Sequence, residues 1–461
     1  MAKASDGHKH VTKDALASEP TGKGSLDNTR MAVLFSVMLV TASGNTAMQS
    51  ILPTIGTQLK IPDFWVSAAF SWSALLWVYT APKWARQSDH RGRKALMRLG
   101  MIGFVSSFAL AGLALFFGIL GYYGALTTFL LFAFFRSLYG GLGSAAPPAV
   151  QAYVAARTPR AGRTKALSLI ASSFGLGTVI GPAIAPLLVI PMLGLSSPMF
   201  AFAGIGIVVM IALALKLPND NPGFSAKGVV TSEPYSAAPS ANSLKDQDEG
   251  DDDTDGKTSG VIPPQLRWSD DRIKPWLISG ILGGNAHAFV LGVVGFLVLD
   301  RLGLRGDPSS GIEMTGIVLM AGAAATLLAQ WGLIPLLQMG PRSSILWGMA
   351  LAALGCAMLG MSDGLYGIII GFAVSSLGFG LFRPGFTAGA SLAVKRSEQN
   401  GVAGIVASVN GMAFIASPAL GVLLYTYGGP LPFWFSAITC IFLLGWGYKS
   451  LKLDETNLQA R

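Results

Sequence analysis

The stretch Ala85-Arg86-Gln87-Ser88-Asp89-His90-Arg91-Gly92-Arg93-Lys94 is a charged turn wedged between two long apolar runs, roughly 64–80 and 99–120. Each run is long enough to cross a hydrocarbon core about 30 Å thick as a helix. Charge therefore gathers where the chain leaves lipid, and the same reading extends outward. Only 12% of the 461 residues are charged, half of the roughly 25% usual in soluble domains, and 51% are hydrophobic. The chain is read by counting spans rather than soluble domains.

Apolar windows predict helices near 31–52, 64–82, 96–119, 126–154, 166–190 and 199–217, then a polar break, then 276–299, 314–337, 345–360, 366–394, 402–425 and 433–448. The expected fold is an all-α membrane protein: twelve transmembrane helices arranged as two six-helix pseudo-symmetric bundles. The domain plan is an N-terminal tail at 1–29, bundles at 30–217 and 274–450, a linker at 218–273 and a tail at 451–461. The linker is rich in Pro, Ser and Gly and carries the acidic run Asp246-Gln247-Asp248-Glu249-Gly250-Asp251-Asp252-Asp253. It reads as a disordered cytoplasmic segment.

An even number of spans puts both termini on one side. The loops after the second and fourth helices carry Lys83, Arg86, Arg91, Arg93, Lys94, Arg157, Arg160, Arg163 and Lys165, against little beyond Lys60, Arg301 and Arg305 opposite. Both termini are therefore expected in the cytoplasm, with the protein in an inner or plasma membrane. The net charge of +9 belongs to this topology and does not indicate a nucleic-acid partner. Residues 1–29 are polar throughout, so no cleavable signal peptide is expected ahead of the first span. Cys356 and Cys440 fall inside predicted spans and read as small buried hydrophobes, not as a disulfide or a metal site.

The halves show weak, ordered similarity. Arg136-Ser137-Leu138-Tyr139-Gly140-Gly141-Leu142 aligns with Ser375-Ser376-Leu377-Gly378-Phe379-Gly380-Leu381, and downstream Gly181-Pro182-Ala183-Ile184 faces Ser417-Pro418-Ala419-Leu420. Three segments carry the functional reading. In the opening turn Gly92 tolerates positive φ, Arg93 and Lys94 anchor the cytoplasmic surface, and Asp89 can pair with them or cap a helix. In the fourth helix Arg136 sits well inside an apolar run, at about 2.5–3.5 kcal/mol on insertion scales, so it should face the bundle interior or a wet cavity. In the fifth, Gly177-x-x-x-Gly181-Pro182-x-x-Ala185-Pro186 offers small residues for close helix approach and a proline kink.

These segments resemble three signatures of the major facilitator superfamily, and the chain looks most like its twelve-helix drug:proton antiporters related to tetracycline exporters. Asp89, Gly92, Arg93 and Lys94 match Gly-x-x-x-Asp-Arg-x-Gly-Arg-Arg or Lys, with Ala85 and His90 departing from it. Arg136-x-x-Tyr139-Gly140 resembles Arg-x-x-Gln-Gly, and the fifth-helix segment resembles the antiporter signature, with Ala185 and Pro186 in place of its closing glycines. The resemblance implies a secondary transporter working by alternating access. It further implies proton-coupled export of a drug or metabolite, with Asp89, Gly92, Arg93 and Lys94 as a latch between the halves, Arg136 near proton or substrate, and Gly177, Gly181 and Pro182 packing the antiporter helix.

Polar residues inside spans suggest the cavity: Asn45 and Gln49 in the first helix, Asn285 and His287 in the seventh, Gln330 in the eighth and Arg383 in the tenth. Asn45 and Gln49 share a helix face and serve equally well as hydrogen-bond glue. His287 is a titratable candidate for the coupling proton or a core histidine. No carboxylate lies mid-span in residues 31–217, where relatives place one in the first helix; here that stretch reads Ser43-Gly44-Asn45-Thr46 and ends Ile51-Leu52-Pro53. Arg136 and Arg383 together would favour an anion such as an organic acid or siderophore, which is the alternative to drug efflux. A non-transporting sensor or scaffold is the third reading. The expected partners are a small-molecule substrate, protons and the lipid bilayer. No cofactor, metal or enzymatic activity is expected, and the protein is expected to act as a monomer.

Overall fold

The structure is a computed structural model and describes residues 26–158, 160–218, 268–394 and 399–452. The acidic run of the linker lies outside the described residues. Twelve helical spans follow one another in chain order. The first six are α1 (Asn28–Gln58), α2 (Asp63–Arg91), α3 (Arg93–Ile119), α4, α5 (Arg160–Ile184) and α6 (Ser197–Lys216). The second six are α7 (Lys274–Arg301), α8, α9 (Pro341–Met361), α10 (Leu365–Leu392), α11 (Gln399–Tyr427) and α12 (Leu431–Ser450). α4 runs as Ala125–Gly141, tightens through a 3-10 turn at Gly143–Ala145 and resumes as Ala146–Arg157. α8 runs as Pro308–Leu327, widens into a π-helix at Leu328–Leu333 and ends as Ile334–Leu336. No strand occurs among the described residues.

Eleven of these helices are long and apolar enough to cross a bilayer. The remaining helix, α5, contributes the apolar stretch Leu169–Ile184 among the described residues. The helix was expected to reach residue 190 but ends at Ile184. Pro186 has no N–H to donate back to Pro182, and the chain turns through Pro186–Leu188 instead. Other helices overrun their apolar windows because the windows mark the lipid-buried part and the helix continues into the interface. Asp27 caps α1 by accepting from the Arg30 amide at 2.7 Å, and Asp307 caps α8 by accepting from the Ser310 amide at 3.3 Å.

The opening turn is corrected in the same way. Ala85 to Arg91 form the last turns of α2, α3 starts at Arg93, and only Gly92 leaves the helical conformation, with φ 82° and ψ 141°. A single residue with positive φ suffices to break the helix there, and a side chain at that φ would be strained.

The halves repeat each other in their packing. α1 lies along α5 and α7 along α11 within the halves, while α8 lies along α5 and α2 along α11 between them. Pro182 and Pro418, paired by the sequence repeat, occupy the corresponding helices α5 and α11. Large apolar side chains, among them Phe134, Val208, Leu215, Ile438 and Phe442, remain exposed on the outside of α4, α6 and α12. A lipid-facing surface has this character, because hydrocarbon solvates such side chains as well as a protein core does.

Candidate functional site

A cavity lies between the halves. From the first half Thr46, Gln49, Thr178 and Pro182 line it; from the second come His287, Thr326, Gln330, Ser376, Phe379 and Arg383 with several aliphatic neighbours. Gln330 reaches it from the π-helical stretch of α8, where the extra residue per turn alters the direction of the side chain. The His287 ring stacks on Phe379 with centroids 4.7 Å apart. The Arg383 guanidinium carbon is 5.9 Å from the centre of the Phe414 ring. Neither aspartate nor glutamate is among the lining residues.

Four of the seven polar residues named from the sequence, Gln49, His287, Gln330 and Arg383, meet at this cavity; the other three, Asn45, Arg136 and Asn285, are engaged within their own halves. Arg136 is 2% exposed and donates from Nη2 to Asn45 Oδ1 across α4 and α1. Its guanidinium carbon lies 4.8, 5.7 and 5.9 Å from the ring centres of Tyr139, Phe108 and Phe70. The buried charge is thus met by an amide oxygen and three π faces. Asn285 donates to the Ile281 carbonyl at 2.6 Å and accepts from the Ser417 hydroxyl, tying α7 to α11 beside Pro418.

The small residues of α5 permit backbone contact with α1. A Cβ at Gly177 would lie 2.6 Å from the Leu39 carbonyl oxygen, and one at Gly181 would collide with the Ser43 carbonyl. Thr46 uses the opening, reaching the Gly177 carbonyl at 3.4 Å. Pro182 faces the other half, where a Cβ on Gly316 of α8 would sit 2.6 Å from its carbonyl oxygen. At the opening stretch the side chain of Asp89 lies outside the described residues. Arg93 is buried, and Lys94 donates to the Ala214 carbonyl at 3.0 Å and to the Leu217 carbonyl. Lys94 therefore satisfies the free carbonyls at the C-terminal end of α6 in its own half, rather than remaining at the surface.

A family model described as the Major Facilitator Superfamily matches residues 34–339 and 335–458, nearly the whole membrane part. The chain belongs to the major facilitator superfamily. It is accordingly a multi-pass membrane transporter and not an enzyme. Among solved structures, the human organic anion transporter MFSD10 (TETRAN) is 16% identical, over 92% of this chain and 100% of that one, at TM-score 0.60. The nucleoside transporter NupG is 12% identical, over 91% and 98%, at TM-score 0.60. A POT family transporter in complex with a thioalcohol-conjugated peptide is 15% identical, over 92% and 96%, at TM-score 0.63. At these identities the likeness concerns the fold alone. No curated protein matches the chain by sequence.

In this superfamily member a second constellation joins the halves, one that the sequence reading treated only as a topology signal. Arg305, between α7 and α8, binds Asp63 at the start of α2 in bidentate fashion, Nη2 to Oδ2 at 2.6 Å and Nη1 to Oδ1 at 3.1 Å. It also reaches Thr57 Oγ1 at 3.2 Å and grips Asp300 of its own half, which accepts from the Tyr425 hydroxyl at 2.8 Å. Hydrogen bonds donated by the Arg305 guanidinium to the Asp300 and Asp63 carboxylates hold it above its ordinary value. This clasp lies at the end of the bundle opposite the Gly92 break. Span parity was the available signal, because the α1–α2 and α7–α8 connections emerge on the same face.

Proposed function

We propose that this transporter moves a small organic anion by alternating access, with the two halves rocking about the cavity between them. The observation that carries the reading is the lining: Arg383 and His287 are present and no carboxylate is. A guanidinium remains charged at any working pH, and in a low-dielectric site it draws in a negative group and disfavours a cation. The cytoplasmic face is assigned to the end that carries Lys83, Arg91, Arg93, Lys94 and Arg157, in an inner or plasma membrane. The Arg305 clasp then closes the outer face, and its separation from Asp63 accompanies outward opening. Asp89 remains the candidate partner of the opposite latch.

A second reading, proton-coupled efflux of a drug, is favoured by the close packing of Gly177 and Gly181 on α1 and by Pro182 at the contact with α8, as in the antiporter signature. It lacks a mid-span carboxylate to carry the proton, so coupling would fall to His287, Asp89 or a titrating substrate.

Counterflow in proteoliposomes separates the two. Labelled organic anions and cationic drugs are offered with and without an imposed pH gradient. Exchange of anions that is lost in Arg383→Gln is expected. Exchange of cations only, driven by the gradient and unaffected in Arg383→Gln, would overturn the anion reading in favour of drug antiport.

A further inference from the structure

We infer that the transported anion is an amphiphile, with its charged group at Arg383 and an apolar body extending toward the outer face; this rests on the anion reading above. A second cavity adjoins the first on the side of the clasp. The two share Gln49, Leu291 and Leu319 in their walls, so these side chains are all that stands between two neighbouring compartments. The outer compartment is walled by Phe70, Phe296, Phe414, Val66 and Pro53, and Gln49 and Ser67 are its only polar side chains. The compartments meet at Phe414, whose ring centre is 5.9 Å from the Arg383 guanidinium carbon and 6.3 Å from the His287 ring.

The polarity of the combined space is therefore asymmetric. Arg383, Gln330, His287, Thr326 and Ser376 surround one end, and aromatic and aliphatic side chains the other. A small hydrophilic anion would fill only the first compartment and leave the aromatic walls without contacts. Along α7, His287 and Phe296 are nine residues apart, about 13 Å at the helical rise, which sets the scale of an elongated ligand. A mostly apolar lining with a few convergent polar groups is the usual form of a site for a small organic molecule. The Arg305 clasp closes the far end, so the apolar body would sit against a sealed outer face.

The test uses linear alkylsulfonates, from methanesulfonate to octanesulfonate, which stay ionised at all working pH. Their binding to the full-length protein in nanodiscs is read from thermal stabilisation, with alkylammonium ions of equal length as controls. Affinity is expected to rise about fourfold per methylene as the chain enters the apolar compartment, then to level off. Arg383→Gln should abolish the binding, and Ser67→Trp, which fills the outer compartment, should bring the plateau at a shorter chain. Sulfonates that all bind equally whatever their length would overturn the amphiphile while leaving the anion reading intact. Alkylammonium ions binding in place of sulfonates would overturn both. A length dependence shared equally by sulfonates and alkylammonium ions in the wild type would reveal partitioning into lipid and would also overturn the inference, without needing either variant to be stable.

Discussion

Arg136 in α4 and Arg383 in α10 are the same side chain in corresponding helices of the two halves, yet their surroundings differ in kind. Arg136 is buried within its own half, donating a hydrogen bond to Asn45 and facing three aromatic rings with its charge. Arg383 is partly exposed at the wall of the cavity between the halves. A buried arginine in a membrane protein thus does not by itself mark a substrate site. What separates the two is whether the side chain opens onto the cavity: Arg383 lines it and Arg136 does not.

The largest effect that would break this contrast is on stability. Arg136→Ala removes the donor to Asn45 Oδ1 and leaves a void among the aromatic rings, at a cost of about 2–3 kcal/mol, seen as a lowered melting temperature in detergent. A variant as stable as the wild type would put Arg136 on the cavity side of the comparison. Next comes Arg383→Gln, expected to reduce anion transport about tenfold to a hundredfold, the worth of a charge-assisted hydrogen bond, with little change in melting temperature.

A double-mutant cycle between Arg136→Ala and Asn45→Ala sharpens the contrast further, with a coupling of about 1–2 kcal/mol expected for contacting residues. Additive effects would mean that the pair does not act as a unit. The smallest effect concerns a third arginine, Arg305, solvated by carboxylates in the clasp. Asp63 is 12% and Arg305 35% exposed, so the pair contributes about 1 kcal/mol at most. Asp63→Asn should shift the population of outward-open molecules a few-fold, read by labelling of a cysteine at Val66. Because the folded-state value of Arg305 is raised, its contribution is present below the ordinary guanidinium range and is lost only above it. Labelling should therefore not change between pH 7 and about 10 on account of the arginine.

Much of the fold could be read from the chain because lipid imposes its own length scale. Twelve apolar windows fell on twelve helical spans, and the halves repeat their packing as the faint sequence repeat suggested. What failed was local. The charged stretch before α3 is helix broken by one glycine, since hydrophilic composition marks an exit from lipid and not an exit from helix. α5 stops early at its prolines.

The site was legible in part. His287, Gln49 and Arg383 were named as polar residues inside spans and do meet at one cavity. Asn45, Arg136 and Asn285 were named on the same grounds, but each had a partner on another helix, Arg136 for Asn45 and Ser417 for Asn285. Spacing along one helix cannot reveal such pairs. The clasp escaped notice for a related reason: Arg305 and Asp63 are far apart in sequence and look like ordinary interfacial charges until parity brings their loops together.

The most direct measurement is counterflow of a labelled organic anion by wild type, Arg383→Gln and Arg383→Lys, each first matched for melting temperature. Loss of exchange in the glutamine variant, with partial retention in the lysine variant, is the result expected if the cavity arginine holds the substrate's charge. Equal exchange by all three would contradict it and leave Arg383, like Arg136, a structural residue.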